Sequence, residues 1–231
     1  KSTRSIQRFG KKMQGFGQTM TRNITVPVVG LGAAAVKLAS DFEETQSKFN
    51  TVFKDISDNA QAASKELSSS FGLSSRASMQ LLSDTGDLLT GFGFTQEEAL
   101  KLSTEVNKLA VDLASFTNVE GGAEAASKAL TKALLGERES IKQLGIAITE
   151  ADLKSFAAEQ GLVFKELGRV EKATLTYQLA LQQSQNAVGD FARTSDSFAG
   201  QLRQLKGELE DVAIQLGVEI LPLAKDLVSG L

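Results

Sequence analysis

The sequence predicts an all-α fold in which long amphipathic, coiled-coil-like helices at both ends flank a compact domain of shorter helices. Near each end, apolar residues recur at alternating steps of three and four, the repeat of a helix that packs along a partner helix. Between the ends, most of the glycines separate short stretches with helical periodicity. The longest strand-like pattern is the short run at residues 145–148.

The first predicted element is a helix from Ser2 to Met20. Three glycines, Gly10, Gly15 and Gly17, weaken it by about 1 kcal/mol each relative to alanine. We therefore expect this helix to need a partner, either a second copy of the chain or another protein. Its a and d positions, which would meet that partner, are Ile6, Phe9, Met13, Phe16 and Met20.

Residues 1–22, which include this segment, are a basic arm with a net charge of +6 and no acidic residue, in a chain whose net charge is −3. Such an arm can contact phosphate, anionic lipid or an acidic protein surface, and it can equally be a solvated face. The overall negative charge argues against specific nucleic-acid readout. The basic residues are Lys1, Arg4, Arg8, Lys11, Lys12 and Arg22.

The second element is an apolar helix that begins near Asn23, with Pro27 suited to its first turn. It is expected to run for about 28 residues, as one helix or as two with a break near Asp41. Val29–Ala35 has the glycine spacing of a dinucleotide-binding loop but lacks a preceding strand. The apolar run is also shorter than the roughly 20 residues that span a bilayer. A helix whose small residues permit close packing is favoured.

Residues 58–193 are predicted to form the helical core domain, after an N-terminal region of residues 1–57. Thr95 and Glu98 have the spacing of a capping box, in which each side chain bonds the other residue's backbone N–H. Four further helices are expected: Ser74 or Ser75 to Leu89, Gly122 to Leu135, Thr149 to Gly161, and Val170 to Val188.

The last region, residues 194–231, is a heptad-patterned helix that Pro222 is expected to kink or end. Its charged residues lie off the apolar seam, as in a coiled coil or helical bundle. The predicted seam residues are Phe198, Leu202, Leu205, Leu209, Val212 and Leu216.

The composition disfavours an enzyme. The chain has no Cys and no His, so it lacks disulfides, the usual zinc ligands and the commonest general base near neutral pH. The neighbouring acids Glu43 and Glu44, and Glu137 and Glu139, do not face one another across a cleft as a glycosidase pair must. No catalytic residue, metal ligand or cofactor is assigned, and the charges at 137–142 are expected at a helix start after a glycine turn.

Three blocks, at 109–118, 133–148 and 189–198, resemble the core region of siphophage-type phage tail tape measure proteins, in the same order. The resemblance extends from near Val36 to the end of the chain. The residues of the central motif are Gly136, Glu137, Arg138, Glu139, Ile141, Leu144 and Gly145.

This resemblance implies a structural protein that fills the lumen of the tail tube, sets tail length during assembly and leaves the tube during genome ejection. It implies a homo-oligomer, with a trimer expected, and contacts with the tail tube protein, distal tail or baseplate proteins and tail assembly chaperones. The expected location is the virion, after assembly in the host cytoplasm. The chain begins at Lys1 rather than Met, which suggests a piece of a longer protein. The contrast between the heptad-patterned ends and the glycine-separated middle suggests that this piece is a helical docking or initiation region near the tail tip.

Two alternatives stay open. The apolar 24–40 segment and the basic arm could form a membrane-interacting region that assists DNA passage across the host envelope after ejection. The chain could also be an enzyme, although no recognisable cell-wall hydrolase module is present.

Overall fold

The computed structural model describes residues 26–229, with side chains for residues 33–197 and 199–222. Every regular element in this part of the chain is helical, so the predicted all-α class is confirmed. Short 3-10 helices lie at Lys54–Ile56 and Ser140–Leu144. The α-helices are α1 (Val26–Val52), α2 (Ser57–Phe71), α3 (Ser75–Phe92), α4 (Gln96–Thr117), α5 (Gly122–Leu134), α6 (Glu150–Glu159), α7 (Arg169–Gln183), α8 (Asp190–Thr194) and α9 (Phe198–Ser229).

Local side-chain caps start three of the central helices. Thr95 Oγ1 accepts a hydrogen bond from the Glu98 backbone N–H, and Glu98 accepts one from the Thr95 N–H, so the predicted capping box of α4 is confirmed. Thr149 and Asp152 form a second capping box at the start of α6, and these bonds lower the pKa of Asp152. Ser74 caps α3 by accepting from the Ala77 N–H.

The apolar segment near the N-terminus is one continuous helix. α1 runs through Asp41 without a break, which decides between the one-helix and two-helix expectations. Because the helix already begins at Val26, residues 29–35 are not the turn after a strand that a dinucleotide-binding fold requires.

The chain forms two compact units. The larger unit comprises Glu43–Asp211, and the smaller unit combines the described parts of Lys1–Phe42 and Val212–Leu231. The predicted segments 1–57, 58–193 and 194–231 divide the sequence by pattern and stay a prediction.

The larger unit is built around α4. One face of this helix buries Val106, Leu109 and Leu113 in an apolar cluster that also contains residues of α5, of the chain that follows α5, and of α7. A second apolar cluster joins Leu100 of α4 to Phe49 and Phe53, whose rings meet edge to face with centroids 5.3 Å apart. α4 therefore contributes to both apolar clusters of the unit.

Within the smaller unit, α1 and α9 approach closely through small residues. A side chain at Gly217 would overlap the carbonyl oxygen of Ala35 and crowd Ala39, so the two backbones meet there. Both alanines are buried. The small residues expected to permit close packing do so at this contact.

Two predicted helix ends are wrong. Pro222 was expected to kink or end the last helix, and it does not end it, because α9 continues through it to Ser229. A proline removes one backbone hydrogen bond and crowds the preceding turn, but apolar, helix-forming residues on both sides, such as Leu221 and Leu223, continue the helix. α7 ends at Gln183 rather than Val188, since the chain turns at residues 184–189 and Gly189 adopts a positive φ of 76°.

Candidate functional site

The three sequence blocks that carry the family resemblance meet around α4. Block 109–118 is the second half of α4, and block 189–198 contains α8. Asp112 is buried in α4 and accepts hydrogen bonds from the backbone N–H groups of Gly189 (2.7 Å) and Phe191 (3.1 Å). Ser115 and Thr194 share a further bond of 3.1 Å between their hydroxyls. One carboxylate thus fixes the turn that leads into α8.

The block at 133–148 reaches the same core by a different route. Ile141 and Leu144, with Ile146 and Ile148 beyond them, are buried in the apolar cluster that contains Leu109 and Leu113. Part of the central motif therefore belongs to the core, because Ile141 and Leu144 point their aliphatic side chains into it.

The charged half of the central motif lies on the surface, where a helix start after a glycine turn was expected. Gly136 has a φ of 107° and forms the turn, and the helix that follows is a short 3-10 helix, Ser140–Leu144. This helix ends at Gly145, which has a positive φ of 74°. Glu139 pairs with Lys142 at 2.7 Å, and Glu137 lies 3.6 Å from Lys132. Such exposed pairs contribute little to stability.

A buried polar network joins α3, α4 and α5 at the centre of the larger unit. The Asn107 side-chain amide donates to the carbonyl oxygens of Leu81 (3.1 Å) and Ser103 (2.8 Å) and to the Thr85 hydroxyl (3.3 Å). Its oxygen accepts from the Ser127 hydroxyl at 2.5 Å. Asn107 has no exposed surface, so its amide is satisfied entirely within the protein.

The predicted C-terminal seam faces solvent. Its described side chains are 48–59% exposed, whereas residues one heptad apart on the opposite face of α9, Gly207, Ile214 and Leu221, are buried. α9 therefore has its apolar a and d positions outward, the reverse of a surface helix in most globular proteins. The exposed seam residues are Leu202, Leu205, Leu209, Val212 and Leu216.

Within the larger unit, polar and glycine contacts hold the first half of α9 against the start of α3 and the turn before it. Asp211 accepts from the Ser75 backbone N–H at 2.8 Å, and Glu210 accepts from the Arg76 guanidinium at 2.6 Å. These carboxylates lie at the start of α3, where the helix dipole favours negative charge. A side chain at Gly207 would overlap the carbonyl oxygen of Gly72, so this contact requires glycine.

A cavity of about 460 Å³ lies beside this contact in the larger unit. Phe71, Leu81 and Val111 form apolar parts of its wall, while Arg203 and Lys206 contribute positive charge and Glu124 negative charge. Since its walls carry both signs of charge, electrostatics alone selects no class of ligand.

The described residues contain no cluster of three or more acidic side chains placed to bind a metal ion. None of the helices between residues 26 and 229 combines the length and the hydropathy needed to cross a bilayer. Burial, with a smaller effect from the charge of Glu105, raises the pKa of Tyr177 to about 12. This tyrosine belongs to the core cluster.

Two groups of predicted site residues and one further side chain lie outside the described side chains. The groups are the N-terminal seam (Ile6, Phe9, Met13, Phe16 and Met20) and the basic arm (Lys1, Arg4, Arg8, Lys11, Lys12 and Arg22), and the further side chain is that of Phe198.

Sequence reasoning missed Asp112, Asn107 and the acidic pair Glu210 and Asp211. A signal existed for the first two, because each is a polar residue inside the apolar run of α4 and a buried polar side chain needs partners. No comparable signal marked the acidic pair, which resembles any charged flank of a heptad helix.

Comparison of the chain with protein-family models, curated proteins and solved structures finds no match.

Proposed function

We propose that the chain is a structural component of a phage tail, a region of a tape measure protein that fills the tail tube lumen, sets tail length and is released during genome ejection. The observation that carries this proposal is the ordered resemblance of three blocks, whose residues pack together around α4. Asp112 bonds the first block to the third, and Ile141 and Leu144 place the second in the same core. Because the three blocks pack together, one structural requirement accounts for their occurrence in the same chain.

The exposed seam of α9 supports self-association as part of this role. Aliphatic side chains at five successive a and d positions are the pattern by which helices pair with knobs-into-holes packing. The proposed partner at this seam is α9 of other copies, in a coiled coil with a trimer as the expected state. Tail tube, distal tail or baseplate proteins and assembly chaperones are the other proposed partners, inside the virion.

The compact larger unit suits docking or initiation near the tail tip better than length measurement. A ruler gains about 1.5 Å per residue only where the chain is one extended helix. In residues 43–211 the chain instead folds back on itself around α4. We therefore assign length measurement to other parts of the parent protein.

The test is a pair of charge substitutions in the genome that encodes the chain. L205E/L209E places two carboxylates in the seam, and A199E/Q215E places the same two charges at exposed positions of α9 outside the a and d positions. We expect the seam variant to give no tails or tails of irregular length by electron microscopy, and the control to give normal tails.

The chain should also be detectable by mass spectrometry in purified tails before ejection. Normal tails from the seam variant would contradict the role of the α9 seam. Tails of normal length assembled without any copy of the chain would contradict the proposed function itself.

A further inference from the structure

The cavity beside Gly207 has the size and the enclosure of a small-molecule site. Its volume of about 460 Å³ lies in the range of pockets that hold such ligands. Its walls come from the α2–α3 turn, from α3, α4 and α8, and from the start of α5 and the first half of α9, all within the larger unit. Because elements surround it on several sides, the cavity suits a compact ligand better than an extended peptide.

One part of the cavity wall is apolar. Leu81 and Val111 are buried, and the rings of Phe71 and Phe191 meet edge to face with centroids 5.4 Å apart. In the described part of α9, the aliphatic side chains lie on the exposed seam, and the residues that line the cavity are charged or glycine. The apolar wall therefore faces charged side chains, an arrangement that favours a ligand with one apolar and one charged part.

Five charged side chains line the cavity, and two of them neutralise each other. The Arg76 guanidinium pairs with Glu210 at 2.6 Å, and the two side chains are only 25% and 18% exposed. Arg203, Lys206 and Glu124 remain. None of these three forms an ion pair within the described part of the chain. Two positive charges on α9 thus stand against one negative charge on α5.

The two positive charges lie next to each other. Arg203 and Lys206 are three residues apart, a spacing that makes side chains neighbours on the surface of a helix. The guanidinium carbon of Arg203 lies 5.7 Å from the centre of the Phe191 ring, so this charge is held beside the aromatic wall. A carboxylate bound on the α9 side of the cavity can contact both groups, and a guanidinium matches its planar shape.

Neutral polar groups of the wall already have partners in the protein. Ser74 caps α3, and the Ser115 hydroxyl shares a hydrogen bond with Thr194. Gln80 accepts from the Arg76 guanidinium at 2.9 Å. Selection among ligands is therefore left to the apolar wall and to the unpaired charges, and together these favour an amphipathic molecule of negative charge.

We infer that this cavity binds a small amphipathic organic anion, whose carboxylate contacts Arg203 and Lys206. The apolar part of the ligand lies against Phe71, Leu81 and Val111. The ligand is a free small molecule, not a segment of a partner protein. This site goes beyond the proposed structural role and does not depend on it, because every group that forms it belongs to one unit of one chain.

Three probe compounds that share one apolar group test the inference. They are phenylbutyrate, phenylbutanol and phenylbutylamine, which are anionic, neutral and cationic near neutral pH. Each is titrated into the nitrogen-15-labelled full chain, and its dissociation constant is read from backbone amide shifts. We expect phenylbutyrate to bind about tenfold more tightly than the alcohol, and the amine to bind most weakly. The shifted amides should include those of Gly122 and Gly207, which lie on two walls of the cavity.

Charge variants locate the binding site. R203Q/K206Q removes the positive pair at exposed positions and should reduce the affinity for phenylbutyrate to that for the alcohol. The matched control K101Q/K165Q removes the same charge from exposed positions outside the cavity and should change the affinity by less than about twofold, since distant charges are screened. Glu124→Gln removes the acidic wall residue and should strengthen binding of phenylbutyrate by about threefold.

Four results would overturn the inference. They are equal affinities for the three compounds, an equal loss of affinity in the two double variants, amide shifts confined to residues outside the cavity, and no amide shifts at all. Tighter binding of the amine than of the acid would in addition assign the cavity to cations through Glu124.

Discussion

Tyr177 offers a residue-scale report on the core of the larger unit. It is the single tyrosine of the chain, which has no tryptophan, so its ionisation can be followed by absorbance without interference. Burial among the apolar side chains of the core disfavours the charged phenolate and raises its pKa to about 12.

The first prediction is that the folded chain titrates its phenol near pH 12, whereas the unfolded chain titrates near 10. Because the folded pKa is the higher one, the stability that neutral Tyr177 contributes is fully present below pH 10 and is lost as the pH rises toward 12. Tyr177→Phe should remove this part of the alkaline decline in the free energy of unfolding. A single midpoint near 10 in both states would show that the side chain is not buried.

Asp112 supports the second prediction. Replacing it with alanine leaves the backbone N–H groups of Gly189 and Phe191 without their acceptor in a buried site. Asp112→Ala should lower the free energy of unfolding by about 2 kcal/mol in urea titrations. The control Glu105→Ala, at an exposed position of the same helix, should change it by less than about 0.5 kcal/mol. Similar effects of both changes would deny Asp112 its structural role.

At the scale of elements, two glycines that lie within helices have different surroundings. Gly207 lies in α9 where its backbone meets the carbonyl oxygen of Gly72, whereas Gly91 lies in α3 with open space around the position of a Cβ atom. The same substitution should therefore act in opposite directions at the two sites.

The third prediction is that Gly207→Ala destabilises the chain by about 1–3 kcal/mol, because the added methyl group forces α9 away from the α2–α3 turn. Gly91→Ala should stabilise it by about 0.5–1 kcal/mol, since alanine favours a helix interior. Thermal unfolding of the two variants beside the unchanged chain makes the comparison. Equal and small effects would mean that α9 is not in close contact at Gly207.

Helix starts were predictable from the sequence because their cause is local. Thr95 with Glu98, and Thr149 with Asp152, act over three residues, and both helices begin where the sequence placed them. Which face of α9 is buried was not predictable, because the heptad pattern is equally compatible with a buried and an exposed seam. Gly207, Glu210 and Asp211 decide that direction through contacts with residues more than 130 positions away, such as Ser75 and Arg76. The expected helix end at Pro222 was wrong because the free-energy cost of a proline inside a helix does not outweigh the stability of the helical segments on both sides of it.

At the scale of the whole molecule, local stability should differ strongly among helices. α4 contributes to both apolar clusters of the larger unit and carries Asn107 and Asp112, so its hydrogen bonds open only when that unit unfolds. In α9, residues 201–209 belong to the same unit, but they expose their aliphatic side chains and contact the rest of it through positions such as Gln204 and Gly207.

The fourth prediction is therefore an order of hydrogen exchange. Backbone amides at 102–113 should exchange at least about 100-fold more slowly than those at 201–209 when measured by mass spectrometry on the full chain. The L205E/L209E variant should leave the slow group unchanged, because both side chains are about half exposed and neither belongs to the apolar cluster around α4. Equal protection in both segments would contradict the picture of a weakly attached α9.

The Asn107 network has a mechanical consequence. An apolar contact between helices tolerates sliding, because one methyl group replaces another at little cost. A slide of one turn, about 5.4 Å, would instead separate the Asn107 amide from all of its partners on α3 and α5 at once. Under a pulling force these three helices cannot creep past one another step by step. Under force, the centre of the larger unit is therefore expected to keep its helix packing until the three helices separate together in one step.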